Sequence, residues 1–430
     1  MIIHDVPCPF CGCLCDDVSL VVEKNRIVGV ENCCAIGNAK FLSKTRLKHP
    51  IIRRDGGWVE VSYEEAIDET AKILAESIRP LLYGWSGTYG EAQVVGVHLA
   101  EELGALIDST TSVCHNPSIL AIQEVGHPGT TLGQVKNRAD LVIYWGCNPI
   151  EAHPRHLSRY TTYADGYFFE NTVSDRKVVV VDIRRSEAAK IADEFIQVTP
   201  GGDYHVLSAL RAMVRGRGDV VPGSVAGVKK EQLERLVALC MEAKYIGVFF
   251  GLGVSMTRGK YKNVRNAIEL VSEISRKTKC TISAMRGHYN VYGFNEVLTW
   301  MAGYPFAVDF SRGIAFYNPG ETTVIDLLER KEPDASLIIA SDPGAHFPYS
   351  CNEHIASIPS IQIDPCVNAT TALCRVQIPV AITGIEVAGT AYRMDGVPIR
   401  MKKVLETEYP TDQEILERIY AKVRELNGNG

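Results

Sequence analysis

The sequence lacks long hydrophobic runs: no stretch approaches the ~18 uninterrupted apolar residues of a membrane-spanning helix. Residues 1–5 lack the basic region, apolar region and twin arginine of an export signal. An excess of positive charge is also lacking, because the formal net charge is −6 at pH 7. That balance gives no reason to expect nucleic acid or an anionic membrane as a partner. We therefore expect a cytoplasmic protein.

True internal repeats and low-complexity tracts are absent as well. Hydrophobic residues make up 46% of the chain and charged residues 22%, which is typical of an ordinary globular protein. The 430 residues are enough for about two to four domains of ~150 residues each, with large cores.

Cysteine is abundant near the start of the chain, where six of the thirteen cysteines lie in the first thirty-four residues. The spacing of Cys8, Cys11 and Cys15 allows one compact loop to direct three sulfurs at one point, and a predicted β-hairpin over 18–30 returns the chain to Cys34. Four thiolates without a histidine suit zinc or a 4Fe–4S cluster. Zinc ribbons normally have two symmetric Cys-x2-Cys hooks. The asymmetric spacing here favours the iron–sulfur cluster.

A disulfide framework is the alternative explanation for these cysteines. Such frameworks are typical of small secreted domains, whereas this chain is long. In a reducing compartment the cysteines stay available as thiolate ligands.

Apolar segments followed by glycine or polar residues recur along the chain and predict β-strands. Their positions are 80–83, 141–145, 178–181, 246–250, 337–340 and 361–363. Between them lie helical segments, and Ser62 is the expected N-cap of a helix over 63–78. A last helix is expected over 411–426, with Thr411 and Glu414 as its capping box. Buried strands alternating with helices predict an α/β fold with parallel sheets.

Ligands of parallel sheets bind beyond the carboxyl ends of the strands. Those ends here carry Gly, Asn, Asp, Ser and Arg in repeated clusters, which favours an extended phosphate-bearing ligand. Asp182 stands where dinucleotide folds bind ribose hydroxyls, and Arg184 beside it suits phosphate.

Cys114 and His115 form one candidate catalytic pair. A strand is expected to end near Val113 and a helix to begin at Pro117, with Asn116 as N-cap. The partial positive charge of a helix N-terminus favours a thiolate at Cys114. The alternative is a buried, inert thiol.

Arg286 follows a predicted strand that begins near Cys280 and leads into a polar loop. A guanidinium group at a strand end suits a small anion such as a carboxylate, which it holds with two parallel hydrogen bonds. A structural ion pair is an equally simple explanation.

In their order along the chain, these motifs resemble the molybdopterin oxidoreductase family, which includes formate dehydrogenases. The resemblance extends from Cys8 to about Thr390. Its motifs are Cys8-x2-Cys11-x3-Cys15 with Cys34-Ala35-Ile36-Gly37, Arg46 with His49-Pro50, Gly146-Cys147-Asn148-Pro149 with His153-Pro154, Asp182-Ile183-Arg184, Pro200-Gly201-Gly202-Asp203, Gly251-Leu252-Gly253, Arg286-Gly287 with Asn290 and Gly293, and Asp364 with Thr370-Thr371-Ala372.

Within that family, the opening cysteine motif and residues 385–398 are similar to the B subunits of archaeal tungsten or molybdenum formylmethanofuran dehydrogenases. The resemblance implies a small N-terminal iron–sulfur domain, then parallel-sheet α/β/α (Rossmann-like) domains of the formate dehydrogenase/DMSO reductase type, without the C-terminal β-barrel domain. The expected domains are residues 1–50 for the cluster, 51–140 with 281–376 for the metal and pterin, 141–280 for dinucleotide binding, and 377–430 as an extension docking on the core or a partner.

The resemblance also implies a metal site. Cys114 would bind tungsten or molybdenum, held by two molybdopterin guanine dinucleotides, with His115 and Arg286 beside the place where CO2 is reduced to formate. A 4Fe–4S cluster on Cys8, Cys11, Cys15 and Cys34 would deliver electrons. Cys34 is preferred to Cys33 because it precedes x-x-Gly at the family spacing. The residues expected to contact the dinucleotides are Gly146, Asn148, His153, Asp182, Arg184, Gly202, Asp203, Gly251, Gly253, Asn290, Asp342 and Asp364.

Expected partners are the A, C and D subunits of such an enzyme and ferredoxin-like subunits. In that arrangement the A subunit condenses formate with methanofuran, and the D subunit supplies the missing half of the cofactor enclosure.

The chain departs from formate dehydrogenases at Ile36, where they carry a lysine. Three alternatives remain: a stand-alone formate dehydrogenase, a scaffold subunit that has lost its cofactors, and a zinc-stabilised dinucleotide-binding module.

Overall fold

The structure is a computed structural model that describes residues 1–171 and 173–428. The chain divides into two compact units. Unit 1 comprises Met1–Val113, His288–Arg393 and Pro398–Gly430, and unit 2 comprises Cys114–Gly287 and Met394–Val397. Among the described residues, no helix is long and apolar enough to cross a membrane.

The β-strands of the described residues alternate with helices along most of the chain. In chain order they are β1 (Ile2–Val6), β2 (Val18–Glu23), β3 (Arg26–Glu31), β4 (Ile51–Arg54), β5 (Gly57–Glu60), β6 (Pro80–Gly84), β7 (Leu106–Ser109), β8 (Leu141–Trp145), β9 (Lys177–Asp182), β10 (Glu194–Gln197), β11 (Ser224–Val225), β12 (Val228–Lys229), β13 (Tyr245–Phe250), β14 (Lys279–Ala284), β15 (Val308–Asp309), β16 (Phe316–Tyr317), β17 (Ala335–Ile339), β18 (Ser360–Ile363), β19 (Val376–Ile378), β20 (Gly389–Tyr392) and β21 (Pro398–Met401).

The α-helices follow the same chain order. They are α1 (Ala35–Phe41), α2 (Tyr63–Glu76), α3 (Gly90–Glu102), α4 (Asn116–Val125), α5 (Leu132–Arg138), α6 (Pro149–Ala152), α7 (His156–Tyr160), α8 (Glu187–Lys190), α9 (Asp203–Val214), α10 (Lys230–Glu242), α11 (Leu252–Ser255), α12 (Tyr261–Ile274), α13 (Val291–Ala302), α14 (Val324–Glu329), α15 (Tyr349–Ser357) and α16 (Asp412–Leu426).

Unit 1 contains a nine-stranded sheet in the order β16-β15-β7-β6-β17-β18-β19-β4-β5. Its middle, from β7 to β19, is parallel, and the outer strands pair antiparallel. The chain proceeds from β6 to β7 on one side and later adds β17 on the other side of β6. The strand order therefore reverses between β6 and β17, which is where sheets of this kind place a ligand.

Unit 2 contains a fully parallel five-stranded sheet in the order β10-β9-β8-β13-β14. Here the strand order reverses between β8 and β13. The prediction of an α/β fold with parallel sheets is confirmed, because each predicted buried strand lies in one of these two sheets. In unit 1, β1, β2 and β3 form a further antiparallel sheet that contains the predicted hairpin.

The last helix, α16, is part of the core of unit 1. Its buried apolar residues Ile415, Leu416 and Ile419 belong to the same cluster as Ile67 and Leu74 of α2. Its N-terminus has the predicted capping box: the Glu414 amide donates to Thr411 Oγ1 (3.1 Å) and the Thr411 amide donates to the Glu414 carboxylate (2.7 Å).

The start of α4 differs from the prediction. The strand expected to reach Val113 ends at Ser109, and residues 110–113 form a 3-10 turn. The buried Asp108 carboxylate accepts the Ser109 amide (2.7 Å), and the Ser109 hydroxyl accepts the Thr111 amide (3.2 Å). Such local bonds compete with the strand ladder. The helix then begins at Asn116 with His115, not Asn116, as its N-cap.

We expect Gly96→Ala to destabilise the fold. Gly96 lies in α3 against the buried Trp85, and a methyl group at that position would overlap the indole ring. Alanine ordinarily stabilises a helix interior, but overpacking a core costs about 1–3 kcal/mol. Chemical denaturation of the purified complex should show the loss.

Gly133→Ala in α5 is the control, because an added methyl would make only one ordinary contact, 3.7 Å from Thr131 Oγ1. It should leave stability unchanged or raise it slightly. Equal stability of the two variants would contradict the packing of Trp85 against α3.

Candidate functional site

The cysteine motif of unit 1 forms a closed loop between β1 and β2. The Cys8 amide donates to the Cys15 carbonyl (2.9 Å) and the Leu14 amide donates to the Cys11 carbonyl (3.1 Å). Leu14 has a positive φ of 38°, which helps the chain turn back on itself. These bonds hold the three predicted ligands within one short loop.

The two later cysteines lie next to this loop, at the start of α1. Cys34 is the N-cap of α1, and its sulfur accepts the Gly37 amide at 3.4 Å. A Cβ atom at Gly37 would lie 3.3 Å from Cys8 Sγ and 3.7 Å from Cys34 Sγ, and would overlap Cys33 Sγ. Because Gly37 has no side chain, the sulfurs of Cys8, Cys33 and Cys34 can all lie close to it. The geometry brings both Cys33 and Cys34 to the loop.

Interactions among the thiols shift the pKa values of several of them. A hydrogen bond with Cys33, followed by burial, raises the pKa of Cys8 far above its usual range. Hydrogen bonds with Cys11 and Cys15 raise the pKa of Cys13 in the same way. Cys11 differs, because a hydrogen bond with Cys13 lowers its pKa to about 7. Thiolate ligands must lose their protons, and a bound cation removes the mutual repulsion.

The chemistry of this donor set fits an iron–sulfur cluster. Among the thirteen cysteines, all of which lie in the described part of the chain, none forms a disulfide. The described residues also hold no three ligand side chains arranged about a single metal ion. A four-iron cluster does not require that arrangement, because each of its four cysteines binds a different iron.

In unit 2, Cys114 and His115 lie immediately before α4. The Cys114 carbonyl accepts the Ser255 hydroxyl at 3.2 Å. His115 is buried, its Nδ1 lies 3.0 Å from Ser118 Oγ, and its Nε2 completes no hydrogen bond, although the Met285 backbone carbonyl lies near the imidazole. Burial lowers the pKa of His115 to about 3, and the charge of Arg286 acts in the same direction. His115 is therefore neutral at pH 7 and close to Arg286.

Arg286 lies just beyond the end of β14 and is buried. Its backbone is fixed on both sides, because its amide donates to the Ala284 carbonyl (3.0 Å) and its carbonyl accepts His153 Nε2–H (2.8 Å). A carbonyl can only accept, so His153 carries its proton on Nε2. The structure thus brings Cys114, His115, Arg286 and His153 together within unit 2.

The glycines predicted to contact a dinucleotide lie where the strand order reverses, at the ends of β8 and β13. Gly146 has a φ of 57° and accepts the Gly253 amide (3.0 Å) at its carbonyl. A Cβ atom at Gly253 or Gly251 would lie 2.7 Å from the Gly146 carbonyl oxygen. The two loops can approach this closely only because all three residues lack side chains. Their position at the reversal of strand order is the one expected for a bound dinucleotide.

Several buried polar atoms around these loops have no partner within the protein. They are both amide atoms of Asn148, Nδ1 of His153 and Oδ2 of Asp203, whose Oδ1 accepts Trp145 Nε1–H at 2.8 Å. Burial raises the pKa of Asp203. Unpaired buried donors and acceptors are costly. This combination of unpaired donors and acceptors fits a ligand that both donates and accepts hydrogen bonds, as a guanine nucleotide does.

The remaining candidates of unit 2 have different surroundings. The Asp182 carboxylate accepts the amides of Ile183 (2.7 Å) and Arg184 (3.4 Å), and the Arg184 side chain is exposed. A Cβ atom at Gly202 would lie 2.9 Å from the Thr199 carbonyl oxygen, so tight packing accounts for that glycine.

Three further candidates lie in unit 1. The amide of Asn290 is used internally, because it accepts the Tyr392 amide (2.8 Å) and donates to the Thr88 carbonyl (2.8 Å). Asp342 accepts both the amide and the hydroxyl of Thr370. Asp364 lines a cavity that has a volume of about 250 Å³.

That cavity contains residues that the sequence patterns did not single out, among them Lys40, His288 and Asp412. Lys40 lies one helical turn beyond Ile36, and its ammonium is 5.4 Å from the centre of the Phe10 ring. Asp412 follows the N-cap of α16, where an acidic residue is favoured by the helix dipole alone. Its burial could not be seen from that pattern.

The chain is similar in sequence to known proteins. The family model described as Molybdopterin oxidoreductase matches residues 46–216. The chain is 51% identical over 432 aligned residues to the B subunit of tungsten-containing formylmethanofuran dehydrogenase 2 from Methanocaldococcus jannaschii, covering 99% of both chains. It is 46% identical to the protein of the same description from Methanococcus maripaludis, again covering 99% of both.

Among solved structures, the fold is similar to a chain of the formyltransferase/hydrolase complex of Methylorubrum extorquens, crystallised with methylofuran. The TM-score is 0.72, and the match covers 88% of this chain and 99% of that one. Since the sequences are only 20% identical, this likeness concerns the fold alone.

We expect Cys34→Ser to lose the iron–sulfur cluster and Cys33→Ser to keep it. Cys34 is fixed as the N-cap of α1, at the family spacing from Gly37. Iron content and the visible absorption of the complex, purified without oxygen, measure the outcome. Loss of iron in Cys33→Ser, with normal iron in Cys34→Ser, would assign the fourth ligand to Cys33 instead.

Proposed function

The chain belongs to the family of formylmethanofuran dehydrogenase B subunits, which are oxidoreductases, and we propose that it carries the site at which CO2 is reduced to formate. The reaction consumes two electrons and one proton for each CO2. The observation that carries the proposal is the buried pair of Arg286 and His115 beside Cys114 in unit 2.

Cys114 is the proposed protein ligand of tungsten or molybdenum. It lies at the N-terminal end of α4, whose partial positive charge favours a thiolate. The metal, held by two molybdopterin guanine dinucleotides, supplies two-electron chemistry when bound. The unpaired atoms of Asn148, His153 and Asp203 would hold part of these dinucleotides.

Arg286 is the proposed carboxylate-binding group. Its guanidinium is buried, and its backbone bonds to Ala284 and His153 fix the residue from which the side chain extends. During reduction, negative charge develops on the two oxygens of CO2. A planar guanidinium stabilises that charge with two parallel hydrogen bonds, which are strongest where water is excluded.

His115 is the proposed hydrogen-bonding partner of the substrate. The Ser118 hydroxyl, 3.0 Å from Nδ1, can donate to it, which leaves the proton on the unpaired Nε2. A neutral imidazole with its Nε2–H free then donates to a CO2 or formate oxygen without adding a second positive charge next to Arg286.

The cluster is proposed to be a 4Fe–4S centre on Cys8, Cys11, Cys15 and Cys34 that passes electrons toward the metal site. Support comes from the closed loop that holds the first three cysteines and from the space that Gly37 leaves for converging sulfurs. Retention of these cysteines and of Cys114 disfavours a scaffold protein without cofactors.

We propose that the chain acts within a multisubunit complex, because its relatives are described as the B subunits of larger enzymes. The proposed partners are the A, C and D subunits and ferredoxin-like subunits. Formate would pass to the A subunit, where it is condensed with methanofuran. A stand-alone formate dehydrogenase would instead be fully active with formate and a dye when the other subunits are absent.

We expect Arg286→Lys to lower CO2 reduction and dye-linked formate oxidation by about 100-fold, the scale seen when one oxyanion-binding donor is removed. Lysine keeps the charge but loses the bidentate geometry. Activity is measured on the anaerobically purified complex, with its tungsten or molybdenum content determined in parallel.

The matched control is Arg217→Lys, at an exposed arginine of unit 2 that pairs with Asp219. It should leave both activities unchanged. Turnover of Arg286→Lys close to that of the unmodified complex, at equal metal content, would remove Arg286 from the mechanism.

A further inference from the structure

The cavity of unit 1 lies where the order of its parallel strands reverses. Ser86 and Gly87 follow β6, Ala340 follows β17, and Asp364 follows β18; all four line the cavity. This is the position at which sheets of this class place a ligand. The topology therefore makes this cavity a candidate ligand site, independently of the residues that line it.

The opposite walls come from the cysteine loop and from the C-terminal segment. Pro9 and Phe10, between Cys8 and Cys11, line one wall together with Lys40. The other wall is formed by residues 380–383 and by Asp412, the first residue of α16. A molecule in the cavity would thus touch the loop that holds the cluster.

Asp412 is buried there without a full set of partners. Its side chain is 3% exposed, and Oδ1 has no hydrogen-bond partner. Thr88 lies close enough to favour the carboxylate, yet the Thr88 hydroxyl completes no hydrogen bond either. Thr383, a cavity residue, also has a buried hydroxyl that completes no hydrogen bond, although the Tyr289 phenol lies near it.

Asp364 places a second carboxylate in the same cavity. One of its oxygens accepts the Cys366 amide at 2.9 Å. Burial, together with the charge of Asp412, raises the pKa of Asp364 to about 7, and burial raises the pKa of Asp412 to about 7. In the described part of the chain, neither carboxylate forms an ion pair. Two neighbouring buried carboxylates without a cation are unfavourable unless a ligand donates hydrogen bonds to them.

We propose that Asp412 and Asp364 bind the N–H edge of a 2-amino-4-oxopyrimidine ring, the ring of a pterin, so that α16 completes this part of the cofactor site. The inference rests on the proposed function, which requires a pterin cofactor. The ring amide and amino group of such an edge donate side by side, and carboxylate oxygens accept them. Lys40, on the wall next to the cluster loop, supplies a donor for the oxo group or the ring nitrogens.

The size of the cavity is consistent with a ring system rather than a whole dinucleotide. Its volume of about 250 Å³ is below the about 300–1,000 Å³ that is usual for sites of drug-sized ligands. The ring would lie against Phe10 and Pro9, which belong to the cysteine loop.

The test uses the whole complex, purified without oxygen, with Asp412→Asn in this chain. Asparagine has the same shape, but one of its two terminal groups is a hydrogen-bond donor. That NH2 group would face an N–H donor of the ring, so one hydrogen bond is lost. We expect pterin release after dilution, followed by the fluorescence of its oxidised product, to become about tenfold faster or more, the effect of losing a hydrogen bond to a charged group. Iron content should stay normal.

Glu417→Gln is the control, because it removes a carboxylate from the exposed face of the same helix. It should leave pterin release unchanged. Asp364→Asn, on a different element of the same cavity, should accelerate release as Asp412→Asn does, and it decides the question if Asp412→Asn prevents assembly.

Pterin release at the unmodified rate in both aspartate variants would overturn the inference. Unchanged pterin release with loss of bound calcium or magnesium would also overturn it and assign the carboxylates to a cation. An unmodified complex that contains no pterin would instead refute the proposed function itself, so the two failures are distinguishable.

Discussion

Burying a polar atom without a partner costs about 1–3 kcal/mol, and this chain accepts that cost at the carboxyl ends of both parallel sheets. In unit 2 the unpaired atoms belong to Asn148, His153 and Asp203, around the loops that follow β8 and β13. In unit 1 Asp412 lies at the cavity beside the loops that follow β6 and β17. Both places are reversals of strand order. Some of the unsatisfied groups of this chain therefore lie at the positions where its topology offers a ligand site.

The cysteine region also contains groups whose partners are missing from the protein, and here those groups are thiols. Hydrogen bonds and charges among the thiols, together with burial, hold the pKa of Cys8 and Cys13 far above the usual range, so these two thiols favour the protonated form in the protein alone. Gly37 keeps the space between the sulfurs open. Iron would supply the missing positive charge. The loop, the helix start and the glycine then form one unit whose stability is coupled to metal binding.

Much of the fold could be predicted from the sequence because its signals are local. Runs such as Leu141–Trp145 are apolar, short and followed by glycine, and they form buried parallel strands with nearly the predicted bounds. The start of α4 was predicted wrongly, because hydrogen bonds of Asp108 and Ser109 end the preceding strand early. These local bonds from side chain to backbone set that boundary, and a helix-capping pattern alone does not reveal them.

The site was predictable to the extent that parallel topology brings strand ends together. Cys114 and Arg286 are far apart in sequence but lie in the same unit, close to His115 and His153. Asp412 could not be predicted, because an acidic residue in the first turn of a helix is common on an exposed surface. Only the packing of α16 into the core of unit 1 buries it.

The central claim is that the thiols and unsatisfied polar groups of this chain hold redox cofactors. The most direct measurement is the elemental and pterin content of the native complex purified without oxygen. We expect about four iron atoms in the cluster of each chain, besides iron in other subunits, together with tungsten or molybdenum and extractable pterin. Zinc as the only metal, or neither a group-six metal nor pterin, would contradict it.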